Sequence, residues 1–103
     1  MELNYNPSDE RSVVKDKFFV MVQTVDYYGK KVDQFDLLLD KGSVANVGDY
    51  IQLFKKHYNL DAELKNVSPY MEFKVISPQP KGIRQITVLR IARDYTYQPI
   101  TKL

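Results

Sequence analysis

The chain contains no cysteine and no tryptophan, and its longest apolar run, Phe18 to Val22, is only five residues long. Without cysteine there can be no disulfide, no thiolate metal site and no cysteine nucleophile. A helix that crosses a bilayer needs about 20 apolar residues, so the sequence predicts no membrane contact. The first residues carry acids where a signal peptide needs an apolar core, and we expect a cytoplasmic protein.

The residue patterns of common catalytic sites are also missing. The four glycines are isolated at positions 29, 42, 48 and 82, so no glycine-rich phosphate loop exists. His57 is the only histidine, and no serine has a nucleophile-elbow context or a second histidine to activate it. His57 lies beside Lys56 near a predicted apolar stripe, which favours a half-buried packing role. We therefore expect no enzyme activity and no cofactor.

Asp33, Asp36 and Asp40 are the closest approach to a carboxylate cluster. In a strand Asp33 points away from the other two, and Asp36 and Asp40 are about 13 Å apart at about 3.3 Å per residue. That separation is too large for one metal ion, so no metal site is predicted. We expect these three side chains to be solvated, or to discourage the addition of another strand to the sheet.

The length of 103 residues fits one domain with an ordinary core, because 44% of the residues are hydrophobic. The polar first segment, residues 1–12, predicts a flexible tail, residues 13–98 the domain, and residues 99–103 a fraying end. The formal net charge of +2 permits a polyanionic partner and does not require one.

One helix is predicted over residues 47–58. An apolar stripe recurs at helical spacing, and its members are Val47, Ile51, Phe54 and Tyr58. Leu53 lies off this stripe and has no obvious partner. Asn46 is a predicted N-cap with Asp49 three residues later, and Asn59 suits a left-handed C-cap.

Strand patterns surround the helix on both sides. Residues 17–25 are apolar on both faces and predict a central strand, which a turn at Gly29 connects to a strand over residues 31–40. Alternating patterns then predict strands near residues 60–67, 70–77 and 83–97. The order ββ-α-ββ(β) favours an α+β fold, a mostly antiparallel sheet of four to five strands with the helix on one face. A small, partly open β-barrel with one helix is the alternative.

The last predicted strand combines cations with tyrosines. Cations bind phosphates and aromatic rings stack on unpaired bases. The strand and its flanks carry Lys81, Arg84, Arg90, Arg93, Tyr95 and Tyr97. A strict alternation would place Arg84 and Arg90 on one face and Arg93, Tyr95 and Tyr97 on the other. A similar group, Tyr27, Tyr28, Lys30 and Lys31, surrounds the first turn and extends the patch if the fold brings the two together.

Two functions fit these features. The first is a non-catalytic accessory or regulatory protein that binds nucleic acid, single-stranded above all, through the C-terminal strand. The second is a protein-interaction module or small inhibitor that acts through an exposed sheet edge, Leu53 and the Tyr27-Tyr28 loop. The expected partner is accordingly nucleic acid or protein, including a second copy in a homodimer. A contiguous positive surface that includes Arg84 or Arg93 would favour the first.

Overall fold

A computed structural model describes residues 15–76 and 82–97 of the chain. Five strands and one helix occur in the predicted order: β1 Lys15–Asp26, β2 Gly29–Asp40, α1 Val47–Tyr58, β3 Ala62–Asn66, β4 Met71–Val75 and β5 Gln85–Arg93. The predicted tail, the fraying end and Lys81 lie outside the described residues. β5 ends at Arg93 and not near residue 97, because a turn follows at Tyr95 and Thr96.

The five strands form one open antiparallel sheet in the order β2-β1-β5-β4-β3. The predicted α+β fold is confirmed, and the sheet does not close into a barrel. The hairpins β1-β2 and β3-β4 form the two sides, and β5 lies between them. The chain thus connects its two hairpins through α1 and then inserts its last strand at the centre.

The ends of α1 are fixed as the sequence predicts. The Asn46 side chain accepts a hydrogen bond from the Asp49 N–H, and the Asp49 carboxylate accepts one from the Asn46 N–H, each at 2.9 Å. Asn59 adopts the left-handed conformation that ends the helix, with φ 56°. Among the described residues, no helix is long and apolar enough to cross a membrane.

The helix packs on one face of the sheet through more residues than the predicted stripe contains. Phe54 is fully buried and contacts the Phe73 ring edge to face, with ring centroids 5.0 Å apart. Tyr50 and Leu53 are also buried, whereas Val47, Ile51 and Tyr58 are half-buried at the margins. The interpretation of Leu53 as an unpartnered residue is therefore wrong. The sheet is wider than the predicted stripe, so helix residues beside the stripe also pack against it.

A β-bulge in β5 changes which side chains share a face. Met21 pairs with Arg90 and the next residue, Val22, pairs with Val88, so Leu89 is an extra residue in β5. Ile91 then lies opposite Val20 on the core side, and Ala92 lies opposite Phe19 on the other side. The strict alternation expected for this strand is wrong beyond Leu89. Arg93 consequently shares the face of Val88, and Arg90 lies on the opposite face.

The pairing registers thus define two faces of the sheet. The helix face carries the core and includes Val20, Val22, Phe73, Ile86 and Val88. The helix-free face includes Lys17, Phe19, Met21, Asp36, Leu38, Arg90 and Ala92. Residues paired directly across antiparallel strands project to the same side, which is the basis of this assignment.

Replacing Phe54 by Ala should lower the free energy of unfolding by about 3–5 kcal/mol, because it removes a fully buried ring and leaves a cavity. Leu53→Ala should also destabilise the fold, by about 2–5 kcal/mol. Urea denaturation measures both changes. The matched control is Lys56→Ala on the exposed side of the same helix, which should have almost no effect. A silent Leu53→Ala would contradict the packing described here.

Candidate functional site

The two outer arginines of the C-terminal segment lie at opposite ends of the sheet. The Arg84 N–H donates to the Val25 carbonyl at 2.8 Å, whereas Arg93 pairs with Phe18. Val25 and Phe18 are seven residues apart on β1, which corresponds to about 23 Å. The predicted group of cations on β5 is therefore not a single patch.

At one end, Arg93 is held by a buried carboxylate. Asp16 accepts hydrogen bonds from the Arg93 guanidinium and from the Gly42 N–H, each at 2.9 Å. The charge of Arg93 is thus neutralised, and its guanidinium also lies 5.1 Å from the centre of the exposed Tyr95 ring. These contacts connect the start of β1, the loop after β2 and the end of β5. Because Asp16 neutralises Arg93, this ion pair holds the three segments together and has little net charge with which to attract an anion.

Tyr97 lies at the same end, near the side chain of Lys17. The Lys17 ammonium is 5.9 Å from the centre of the Tyr97 ring and 5.1 Å from that of Phe19. It also lies 3.6 Å from the Asp36 carboxylate and 3.7 Å from that of Asp94. Carboxylates again surround the cation.

Asp94 itself is stabilised as an anion by the turn that follows it. The Thr96 hydroxyl and N–H donate to its carboxylate at 2.6 and 3.0 Å. The hydroxyl hydrogen bond is the main cause that lowers the pKa of Asp94, and Lys17 lowers it further. This end of the sheet therefore keeps a negative charge beside Lys17.

Arg90 stands apart from both ends. Its partner on β1 is Met21, which places its exposed side chain on the helix-free face. Within the described ranges its guanidinium makes no ion pair or hydrogen bond. Arg90 therefore lies close in sequence to Arg84 and Arg93 without sharing a surface with either.

At the other end of the sheet, Arg84 joins the turn between β1 and β2. Its guanidinium lies 4.5 Å from the centre of the Tyr27 ring, a cation–π contact. Its carbonyl accepts a hydrogen bond from the Val75 N–H at 3.0 Å, so its backbone is fixed between β1 and β4. The Tyr27 ring also rests against the backbone of Gly82, where a Cβ atom would overlap it.

We call this group the hairpin tip, and its members are Tyr27, Tyr28, Lys30, Lys31 and Arg84. The Tyr28 side chain is 94% exposed and that of Tyr27 70%. Gly29, with φ 132°, allows the tight turn that projects both rings, and the Asp26 carboxylate accepts the Tyr28 N–H at 2.7 Å. The fold thereby brings one residue of the predicted C-terminal site to the secondary cluster around the first turn.

The charge of the hairpin tip is predominantly positive. Lys30, Lys31 and Arg84 are all exposed. Two carboxylates lie nearby: Asp26 accepts the Tyr28 N–H, and Asp33 accepts the Tyr58 hydroxyl and forms an ion pair with Lys31 at 3.8 Å. The hairpin tip thus combines two exposed aromatic rings with three exposed cations, of which Arg84 contacts Tyr27.

His57 packs against β2. Its ring stacks on Phe35 with centroids 4.0 Å apart and planes inclined by 10°. The residue is exposed and not half-buried as expected, because the stacking covers one side of the ring only.

Asp33 is hydrogen-bonded to Tyr58 and not simply solvated. Among the described residues, no three His, Asp or Glu side chains lie close enough to hold a metal ion.

Shallow cavities also lie elsewhere on the described part of the molecule. A groove of about 320 Å³ separates β2 from α1 and is lined by Asp36, Leu37, Leu38, Leu39, Asp49, Gln52, Leu53 and Lys56. A smaller cleft of about 160 Å³ lies near Arg93 and the loop before α1. Neither contains an arrangement of nucleophile, base and acid.

Comparison of the chain with protein-family models, with curated proteins and with solved structures finds no match. The function must therefore be argued from the chain's own residues.

The stability of the fold should fall at alkaline pH, because burial, followed by the Asp33 hydrogen bond and charge, raises the pKa of Tyr58. Below the usual tyrosine pKa of about 10 both states keep the proton and the contribution is complete. Above it the unfolded chain ionises first, so stability declines as pH rises. Tyr50, whose pKa is raised by burial and then by Asp49, contributes in the same direction.

Urea denaturation on both sides of this pH should show a smaller alkaline decline in Tyr58→Phe than in the wild type. Tyr28→Phe, at an exposed ring, is the matched control and should decline as the wild type does. Equal declines in all three proteins would refute the role given to Tyr58.

Proposed function

We propose that the chain is a non-catalytic accessory protein that binds single-stranded nucleic acid through the hairpin tip. The observation that carries the proposal is the position of Arg84, 4.5 Å from the Tyr27 ring and beside a second, almost fully exposed tyrosine. The proposed site keeps Arg84 from the C-terminal group and takes its other members from the first turn. Arg93, Tyr95 and Tyr97 are left out, because they lie about 23 Å away among carboxylates.

Exposure supports this choice of surface. Large aromatic side chains are usually buried in a core, and a tyrosine that is 94% exposed at a turn contributes little to the fold. Tyr28 is therefore available to stack on a base, since every base presents a π-face. Tyr27 is less free, because Gly82 and Arg84 hold its ring. It would form the rigid side of the site.

The three cations have a different role from the rings. Lys30, Lys31 and Arg84 would contact phosphates, which are the same in every nucleotide and carry no sequence information. Unpaired bases fit the two tyrosines better than a duplex does, because paired bases are already stacked on each other. The proposed activity is therefore recognition of a single strand with little sequence preference.

The site is small, and its affinity should depend strongly on salt. Each cation that contacts a phosphate of a single strand contributes about 0.7 to the slope of log affinity against log salt concentration. With three cations the slope should be about 2 in magnitude.

A fluorescence-anisotropy titration of a labelled single-stranded oligonucleotide at several salt concentrations tests this proposal. Tyr28→Ala should weaken binding by about 1–3 kcal/mol and leave the salt slope unchanged, because it removes stacking and no charge. Arg84→Ala should lower the slope by about 0.7.

Arg90→Ala provides the matched control, since it removes the same charge from a nearby position of the chain, on the helix-free face. It should leave both affinity and slope nearly unchanged. Equal effects of Arg84→Ala and Arg90→Ala would show that binding is not located at the tip. Failure of the folded wild type to bind at low salt would remove the proposal altogether.

A protein partner is the second candidate, favoured by the outer side of β2, which pairs with no other strand of the described sheet and lies next to the same tip. Affinity capture from a native extract with and without nuclease separates the two functions. A partner that is lost after nuclease treatment supports nucleic-acid binding. A partner that survives nuclease and is lost in Tyr28→Ala supports a protein-binding tip.

A further inference from the structure

β2 is an outermost strand of the described sheet and the longer of its two edges, with 12 residues against five in β3. It contains no proline, so each of its residues has an N–H donor. An edge of this length presents a row of backbone donors and acceptors that can pair with another strand.

The hydrogen bonds of β1 identify which groups of β2 face outward. The carbonyls of Lys17 and Val25 accept from Asp94 and Arg84, so odd-numbered residues of β1 direct their backbone toward β5. Even-numbered residues of β1 therefore bond to β2, and the register pairs them with odd-numbered residues of β2. The even-numbered residues of β2 consequently direct their N–H and C=O groups away from the sheet.

These outward-facing residues also have exposed side chains. They are Lys30, Val32, Gln34, Asp36, Leu38 and Asp40, all on the helix-free face. Val32 and Leu38 are 53% and 50% exposed, so two aliphatic side chains on this strand are open to solvent. Asp36 and Asp40 form ion pairs with Lys17 and Lys15 of the same chain, at 3.6 and 2.7 Å. Their carboxylates discourage a further strand that brings no cation of its own.

We propose that β2 pairs antiparallel with β2 of a second copy of this chain, about a twofold axis at Phe35. In this register Lys30 lies opposite Asp40 of the second copy, Val32 opposite Leu38, and Gln34 opposite Asp36. Each pair occurs twice because of the symmetry. The cations near the start of the strand thus meet the acids near its end, and the two exposed aliphatic side chains cover each other.

Neighbouring registers lack this match. A shift of the axis by one residue toward the C-terminus places the two Asp36 carboxylates directly opposite each other, which is repulsive. A shift toward the N-terminus places Lys30 opposite Leu38 and Val32 opposite Asp36. The acids therefore disfavour both neighbouring registers.

The pairing would join two sheets of five strands into one of ten. The second strand would lie along the outer side of the groove between β2 and α1, with its Lys31 opposite Leu39, one of the groove residues. Asp49 lines the same groove, so this cation would approach a carboxylate. The inference shares Lys30 and Lys31 with the hairpin tip but does not depend on nucleic-acid binding, because the pairing of two β2 strands needs no nucleic acid.

Sedimentation equilibrium of the purified full chain over a concentration series tests the proposal. A reversible monomer–dimer equilibrium is expected. Hydrogen exchange at low and high concentration locates the interface. The amides of Val32, Gln34, Asp36 and Leu38 should become protected only in the dimer, whereas those of Asp33, Phe35 and Leu37 should be protected in both states. These odd-numbered amides are an internal control in the same strand.

A matched pair of variants tests the register. Gln34 is exposed and pairs within the monomer with uncharged Met21. Gln34→Lys places a cation opposite Asp36 of the second copy, and Gln34→Glu places an anion there. The dissociation constant of the Lys variant should be lower than that of the Glu variant by about tenfold, since each pair occurs twice. Circular dichroism checks that both variants fold.

A chain that stays monomeric at every concentration would overturn the proposal. A dimer with equal stability in the two variants, or with no added protection of the even-numbered amides, would place the interface elsewhere and overturn it as well. None of these outcomes affects the anisotropy test of the hairpin tip, so the two proposals can fail separately.

Discussion

The insertion of β5 between the two hairpins is the interaction on which the rest of the structure depends. Without it, β1-β2 and β3-β4 would be separate two-stranded ribbons, and such ribbons are marginally stable by themselves. Ile86 and Val88 fill the centre of the sheet opposite Val22 and Phe73, and α1 covers them. The last strand in the chain thus completes the surface on which the helix packs, so the core depends on contacts between residues far apart in the sequence.

The same strand also distributes the charges of the C-terminal segment. The extra residue Leu89 reverses the faces of the residues after it, so Arg93 lies beside Asp16 on the helix face and Arg90 lies on the helix-free face. The bend before β5 carries Arg84 to the first turn. Three cations that are close in sequence therefore occupy three separate environments. Only Arg84 joins other exposed cations.

Much of the fold could be predicted from local patterns, and much of the site could not. The alternation in β2, the caps Asn46 and Asn59, and the order of elements follow from rules that act over a few residues. The burial of Leu53 could not be predicted from the helix pattern alone, because the area of the helix that packs on the sheet depends on the width of the whole sheet. The bulge at Leu89 and the Arg84–Tyr27 contact are properties of strand pairing, which the spacing of one strand cannot reveal.

The two proposed surfaces are linked by β2, which starts at the hairpin tip and forms the edge. An antiparallel pair of these strands would place Lys30 of each copy at opposite ends of the shared edge, about 33 Å apart along the strands at about 3.3 Å per residue. One single strand could then contact both tips only if it were long enough to span that distance. In that case binding at the second tip would be intramolecular, and the overall affinity would rise without any new kind of contact. Two small sites would thereby act as one stronger site.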